Sequence, residues 1–132
     1  MKIIIWCILL GIILFFIIPP YRATIAQNSP STSPKMPFIA EYAQKRVLEV
    51  FGGYWGEFND LIYRESKWNP EAQNPNSTAY GLGQFLNGTW DDVGCEKTSD
   101  PYEQVNCTIK YVKARYGNPQ VALKFHTSHN WY

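Results

Sequence analysis

Glu65 is the residue whose type and position best suit chemistry. It follows Ile62 by three residues, Leu61 by four and Phe58 by seven, so on a helix it shares their apolar face. A carboxyl group there has to be paired, solvated in a cleft or protonated, because an unpaired buried charge is expensive. Removal from water raises a carboxyl pKa, and a raised pKa suits a general acid working near neutral pH. The competing expectation is a structural glutamate satisfied by Arg64, Lys67 or a backbone donor at the helix end. Downstream, Gly81 and Gly83 either let a polymer approach the backbone closely or simply form a tight turn. Gln84 offers a donor and an acceptor to a hydroxyl or N-acetyl group. Tyr80 and Trp90 can stack on sugar rings or fill the core, and Tyr111 lies off its helix's apolar stripe, toward a groove or solvent. Asp91 and Asp92 are the nearby carboxylates, expected in the first turn of a short helix, where negative charge is favourable. His126 and His129 lack a third ligand, so neither a metal nor a cofactor is expected, and His126 reads as a structural or groove residue.

Helices must position these groups. Residues 38–51 place Ile39, Tyr42, Ala43 or Val47, Val50 and Phe51 on one broad face, and Gly52-Gly53 stops the run. Residues 55–66 carry Phe58, Leu61 and Ile62, and Asn69-Pro70 is expected to end that helix just after Glu65. A short helix is expected over 89–93. The clearest start is Asp100-Pro101, with Glu103 placed to complete a capping box, followed by Val105, Ile109, Val112 and Tyr116 at helical spacing and a stop at Gly117. Asn118-Pro119 opens a last helix to about residue 125. The fold class is therefore mainly α, with room for a short hairpin over 80–85.

The chain has 132 residues and a formal net charge of +1, which fits one small domain and gives no basic footprint for nucleic acid. Residues 3–18 are apolar apart from Gly11 and end at Pro19-Pro20, a pattern that suits a signal h-region more than a spanning helix. Thr24 and Ala26 supply small residues before a cleavage point at Gln27. The expected organisation is a signal peptide or membrane anchor over 1–26, a Ser/Pro-rich tether over 27–37 and a folded domain over 38–132, in an exported, monomeric protein. Cys7 lies in the export segment. Cys95 and Cys107, bound for an oxidising compartment, either form a disulfide stabilising by roughly 3 kcal/mol or remain buried thiols. Three Asn-x-Ser/Thr triplets, beginning at Asn76, Asn87 and Asn106, matter only in a eukaryotic secretory host, which is not expected.

The stretch ESKWNPEAQNPNSTAYGLGQFLNGTW, from Glu65 to Trp90, resembles the signature of the lytic transglycosylase and goose-type lysozyme superfamily. That signature runs from a catalytic Glu-Ser through an aromatic-Asn-Pro to a Gly-Leu-x-Gln segment. The tail YVKARYGNPQVALKFHTSHNWY is similar to the end of the short bacterial members, extending the likeness over about 54–132. Thr78 stands where the superfamily most often has Gly, Gly83 stands where many members have Met, and the Ala-Tyr-Asn-Ala-Gly segment of larger members is absent. The resemblance implies a lysozyme-like fold and cleavage of the β-1,4 bond between N-acetylmuramic acid and N-acetylglucosamine in peptidoglycan. It implies Glu65 as general acid and then base, Asn74 as a small polar residue near the acid and Gln84 as a substrate contact; Ser77, Tyr80, Gly81 and Tyr111 are expected as further substrate contacts. One carboxylate suffices for a transglycosylase, in which the substrate acetamido group stabilises the cation. A lysozyme-type hydrolase would recruit Asp91 or Asp92, and a wall-binding or assembly module would keep the groove without turnover.

Overall fold

A computed structural model of the chain describes residues 36–132. The expected export segment, all but the end of the tether, and Cys7 lie outside the described residues. Five helices follow in order: α1 (Met36–Phe51), α2 (Trp55–Ser66), α3 (Asn87–Asp92), α4 (Pro101–Tyr116) and α5 (Pro119–His129). Among the described residues, no helix is long and apolar enough to cross a membrane.

α1 buries Ile39, Ala43 and Val47, a stripe at four-residue spacing that packs on α4, whose Val105 and Ile109 face it. Phe58 and Ile62 of α2 join the same core, while Leu61 meets Val112 of α4 and Ala122 of α5 in a second cluster. α4 is thus the central helix. α5 lies against α2 and brings the chain's end over Glu65's side of that helix.

The start of α4 is fixed by its sequence. Asp100 Oδ1 accepts from the backbone N–H groups of Tyr102 and Glu103, and Pro101 occupies the first turn. The reciprocal half of the expected capping box is absent, because the Asp100 N–H donates to Thr98 Oγ1 instead. Asn118 caps α5 through Val121 N–H. That helix continues past residue 125 to His129, since nothing stops it before Asn130 takes a left-handed conformation at φ 58°. α2 spans Trp55–Ser66, the expected bounds, and the turn that ends it starts just ahead of Asn69-Pro70. Lys67 and Trp68 both adopt positive φ, 53° and 61°, so the chain leaves the helix before Asn69-Pro70. Non-glycine residues adopt this conformation at a cost of about 1–2 kcal/mol each. Burial of Trp68 and the hydrogen bond from its Nε1 to Asn59 Oδ1 at 3.0 Å offset that cost.

Between α2 and α3 the chain forms a loop with two single antiparallel bridges, Gln73 with Tyr80 and Tyr80 with Phe85, which is the expected hairpin reduced to its minimum. Gln104, buried in α4, holds this loop. Its Oε1 accepts from Leu82 N–H at 2.8 Å, and its Nε2 donates to the Pro70 and Thr98 carbonyls at 2.9 and 2.7 Å. Cys95 and Cys107 form a disulfide with Cα atoms 6.3 Å apart, tying the segment after α3 to α4.

Candidate active site

A cleft of about 460 Å³, within the size range of small-ligand sites, opens where α2, the loop, α4 and the last residues meet. Glu65 comes from α2, Asn74 and Gln84 from the loop, Tyr111 and Arg115 from α4, and Trp131 and Tyr132 from the tail. Glu65 is the only carboxylate side chain lining the cleft among the described residues.

The Glu65 side chain is 14% exposed, with Oε1 3.1 Å from Nε2 of His126 on α5. Burial pushes its pKa from 4.5 to about 7. The expected salt-bridge partners are not used. Arg64 pairs with Asp60 at 3.1 Å, and no salt bridge joins Lys67 to Glu65 among the described residues. His126 is itself buried, and burial, reinforced by the Arg64 guanidinium, holds its pKa below the usual imidazole value. The imidazole is thus a close polar neighbour of the carboxyl group rather than a charged partner that would hold it ionised. The contact is not legible in the sequence, where Glu65 and His126 lie far apart and His126 reads as a structural or groove residue.

The expected contact residues divide into two groups. Asn74, Gln84 and Tyr111 line the cleft with Glu65; Ser77, Tyr80 and Gly81 do not. Ser77 Oγ accepts from the Ala79 N–H, a turn-forming role. Tyr80 packs against the cluster of Phe85 and Trp90, with Lys97 Nζ 5.3 Å above its ring. Gly81 is buried at φ 78°, and a Cβ there would lie 2.8 Å from the Gln104 amide, so the glycine makes room for Gln104. Gln84 offers less than expected. Its Nε2 donates to the Ala72 and Gly81 carbonyls at 3.0 and 2.8 Å, leaving Oε1 for a ligand. Asn74 Oδ1 accepts from the Asn76 N–H. Trp90 is core, 3% exposed. Asp91 and Asp92 are exposed at the end of α3 rather than in its first turn, outside the cleft lining.

Aromatic side chains form one wall. Tyr111 packs on Phe85, Tyr116 and Tyr132 with ring centroids 5.0, 6.1 and 5.5 Å away. Burial pushes its phenol up to about 12, so near neutral pH its hydroxyl keeps its proton. The Arg115 guanidinium lies 5.6, 5.7 and 5.4 Å over the rings of Tyr111, Tyr116 and Trp131, with no carboxylate partner among the described residues. Tyr132 donates to the Gly83 carbonyl at 3.3 Å. A Cβ at Gly83 would meet that hydroxyl at 2.9 Å and Thr108 Oγ1 at 2.8 Å, which explains why a larger residue is not accommodated here.

The family model of the transglycosylase SLT domain matches residues 45–130, a span that includes Glu65, the loop and nearly all of the helical core. The chain belongs to this family. This SLT chain is 33% identical over 81 residues to a probable transglycosylase IsaA of Staphylococcus xylosus, covering 61% of the chain and 30% of the relative. A probable transglycosylase IsaA of Staphylococcus haemolyticus is also 33% identical over 81 residues, covering 61% and 31%. The SLT chain thus spans less than a third of the length of these relatives in its matched region. No solved structure matches it significantly. Its helical architecture agrees with the lysozyme-like fold expected from the sequence.

Proposed function

We propose that this SLT chain is a lytic transglycosylase that cleaves the β-1,4 bond between N-acetylmuramic acid and N-acetylglucosamine in peptidoglycan strands. The observation that carries this reading is Glu65, the one carboxylate side chain lining the cleft among the described residues, with its pKa pushed up to about 7 by burial. Protonated Glu65 donates to the glycosidic oxygen as the bond to muramic C1 breaks. The substrate's 2-acetamido oxygen stabilises C1. The Glu65 carboxylate then removes the proton of the muramic 6-hydroxyl, O6 closes on C1, and a 1,6-anhydro end forms. Glu65 regains its proton, so the cycle balances without a second carboxylate.

The exposed position of Asp91 and Asp92, outside the cleft, favours this route over hydrolysis, which needs a partner for the cation or the water. Asn74, the Oε1 of Gln84 and the Tyr111 wall are the surfaces assigned to the sugars, and Arg115, which has no carboxylate partner among the described residues, is assigned to carboxylates carried by the strand. Residues 1–26 would direct the chain across the membrane to its polymer, with 27–37 as a tether. The test is muropeptide release from purified sacculi by the wild-type chain and by Glu65→Gln. Release by the wild type alone is expected; equal release by both refutes the assignment of Glu65.

A further inference from the structure

Trp131 is a side chain that no step above uses, and its setting differs from that of the other tryptophans. Trp68 and Trp90 are buried and Trp55 is half-buried, whereas Trp131 is 50% exposed. Scattered apolar residues at a surface need no explanation. Of the exposed large apolar side chains among the described residues, however, only Leu86 and Trp131 line the Glu65 cleft. Tyr80 and Trp90, the two rings that the sequence offered to sugars, are absent from that lining.

The indole is exposed and yet fixed. Asn130, left-handed at φ 58°, closes α5 with its N–H on the His126 carbonyl at 2.7 Å, and the two residues after it line the cleft. Tyr132 donates to the Gly83 carbonyl at 3.3 Å, so both neighbours of Trp131 are anchored. The ring itself meets Phe125 at a centroid distance of 4.9 Å with the planes 79° apart, and the Arg115 guanidinium lies 5.4 Å over it. A side chain held in this way loses little freedom when a ligand covers it, and that loss is a large part of the cost of binding. The pyranoses of a β-1,4 strand of N-acetyl sugars carry their substituents equatorially, so each ring presents flat faces of C–H bonds. Laying such a face on a half-exposed indole removes apolar area of both partners from water.

We infer that Trp131 is a sugar-stacking residue, a specificity-determining contact that seats one pyranose ring of the glycan strand in the Glu65 cleft. The inference rests on that strand being the substrate, as proposed above, and adds the apolar part of its recognition to the polar part supplied by Asn74 and Gln84. Trp131 takes no proton and carries no charge, so it acts on strand binding and governs KM rather than kcat.

Tryptophan emission reads the contact directly, in the full chain carrying Glu65→Gln so that strands persist. The probe is peptide-free glycan strands, freed from purified sacculi by an amidase. Titration should move the emission to shorter wavelength, and adding Trp131→Phe should abolish the shift. Phe keeps a smaller apolar ring and should bind strands within about threefold of the parent, while Trp131→Ala weakens binding about ten- to a hundredfold. Emission that stays put as strands bind, or an Ala variant that binds as tightly as the parent, overturns the inference. The shift is read on the unsubstituted indole, so misfolding of a variant cannot mimic its absence. Free stem peptides should leave the emission unchanged; a shift with peptides alone would give Trp131 to the peptide and overturn the sugar assignment. On sacculi with Glu65 intact, Trp131→Ala should raise KM with kcat little changed, and a fall in kcat alone overturns the inference. Strands that bind without touching Trp131 sink only this inference, strands that bind no variant sink the substrate reading with it, and cleavage by Glu65→Gln sinks the acid assignment alone.

Discussion

Replacing Glu65 with Gln should make the protein more stable, and only at neutral to alkaline pH. In the folded chain burial raises the Glu65 pKa from 4.5 to about 7. The folded state therefore binds this proton more tightly than the unfolded chain does, and stability falls as pH rises from about 4.5 through about 7. That pKa gap corresponds to as much as about 3 kcal/mol, lost in full above pH 7. Gln mimics the protonated acid and has no charge to bury. Wild type and variant should unfold together near pH 4 and separate by as much as about 3 kcal/mol at pH 8, equivalent to roughly 10–20 °C in Tm for a domain of this size. Urea denaturation and thermal unfolding at fixed pH steps measure the difference. A difference that does not change with pH refutes the raised pKa. A variant less stable at pH 8 refutes it more strongly, because losing one member of a buried ion pair costs stability.

Other perturbations follow from the loop and the cleft wall. Gln104→Leu strands Leu82 N–H and the Pro70 and Thr98 carbonyls, and should cost about 3 kcal/mol or more by urea denaturation. Gly83→Met, which installs the residue common in the resembled family, should destabilise by about 1–3 kcal/mol through collision with Thr108 and Tyr132. Adding Tyr132→Ala should recover part of that loss, and additive losses in the double variant would remove the collision as its cause. Arg115→Ala should raise KM for peptide-bearing strands about tenfold with kcat little changed, as a lost charge-assisted contact requires. A fall in kcat alone would place Arg115 in the chemistry instead.

What could be read from the sequence was local. Asp100-Pro101 and Gly117 delimit α4 because caps and stops act within a turn, and Glu65 stood out because a carboxylate interrupts an apolar helix face. Three features stayed undecided for one cause, contacts distant in sequence. The glycine at 81 carries the same signal whether a ligand or a neighbouring side chain approaches it, and here Gln104 is the neighbour. Tyr80 looked available for sugars because only the folded chain places Phe85 and Trp90 beside it. His126 read as a structural or groove residue without a partner, since α5 has to fold back on α2 before its imidazole meets Glu65. The end of α2 at Ser66 was legible, but the turn that makes it was not. Lys67 and Trp68 adopt positive φ only because Trp68 finds a buried site and Asn59.

The most direct test of the central claim is the mass of the new muramic ends released from purified peptidoglycan by the wild-type chain. One cleft carboxyl group acting first as acid and then as base predicts 1,6-anhydro ends, one water lighter than hydrolytic products. Reducing muramic ends would contradict it and require a water-activating group that the cleft wall, as described, does not provide.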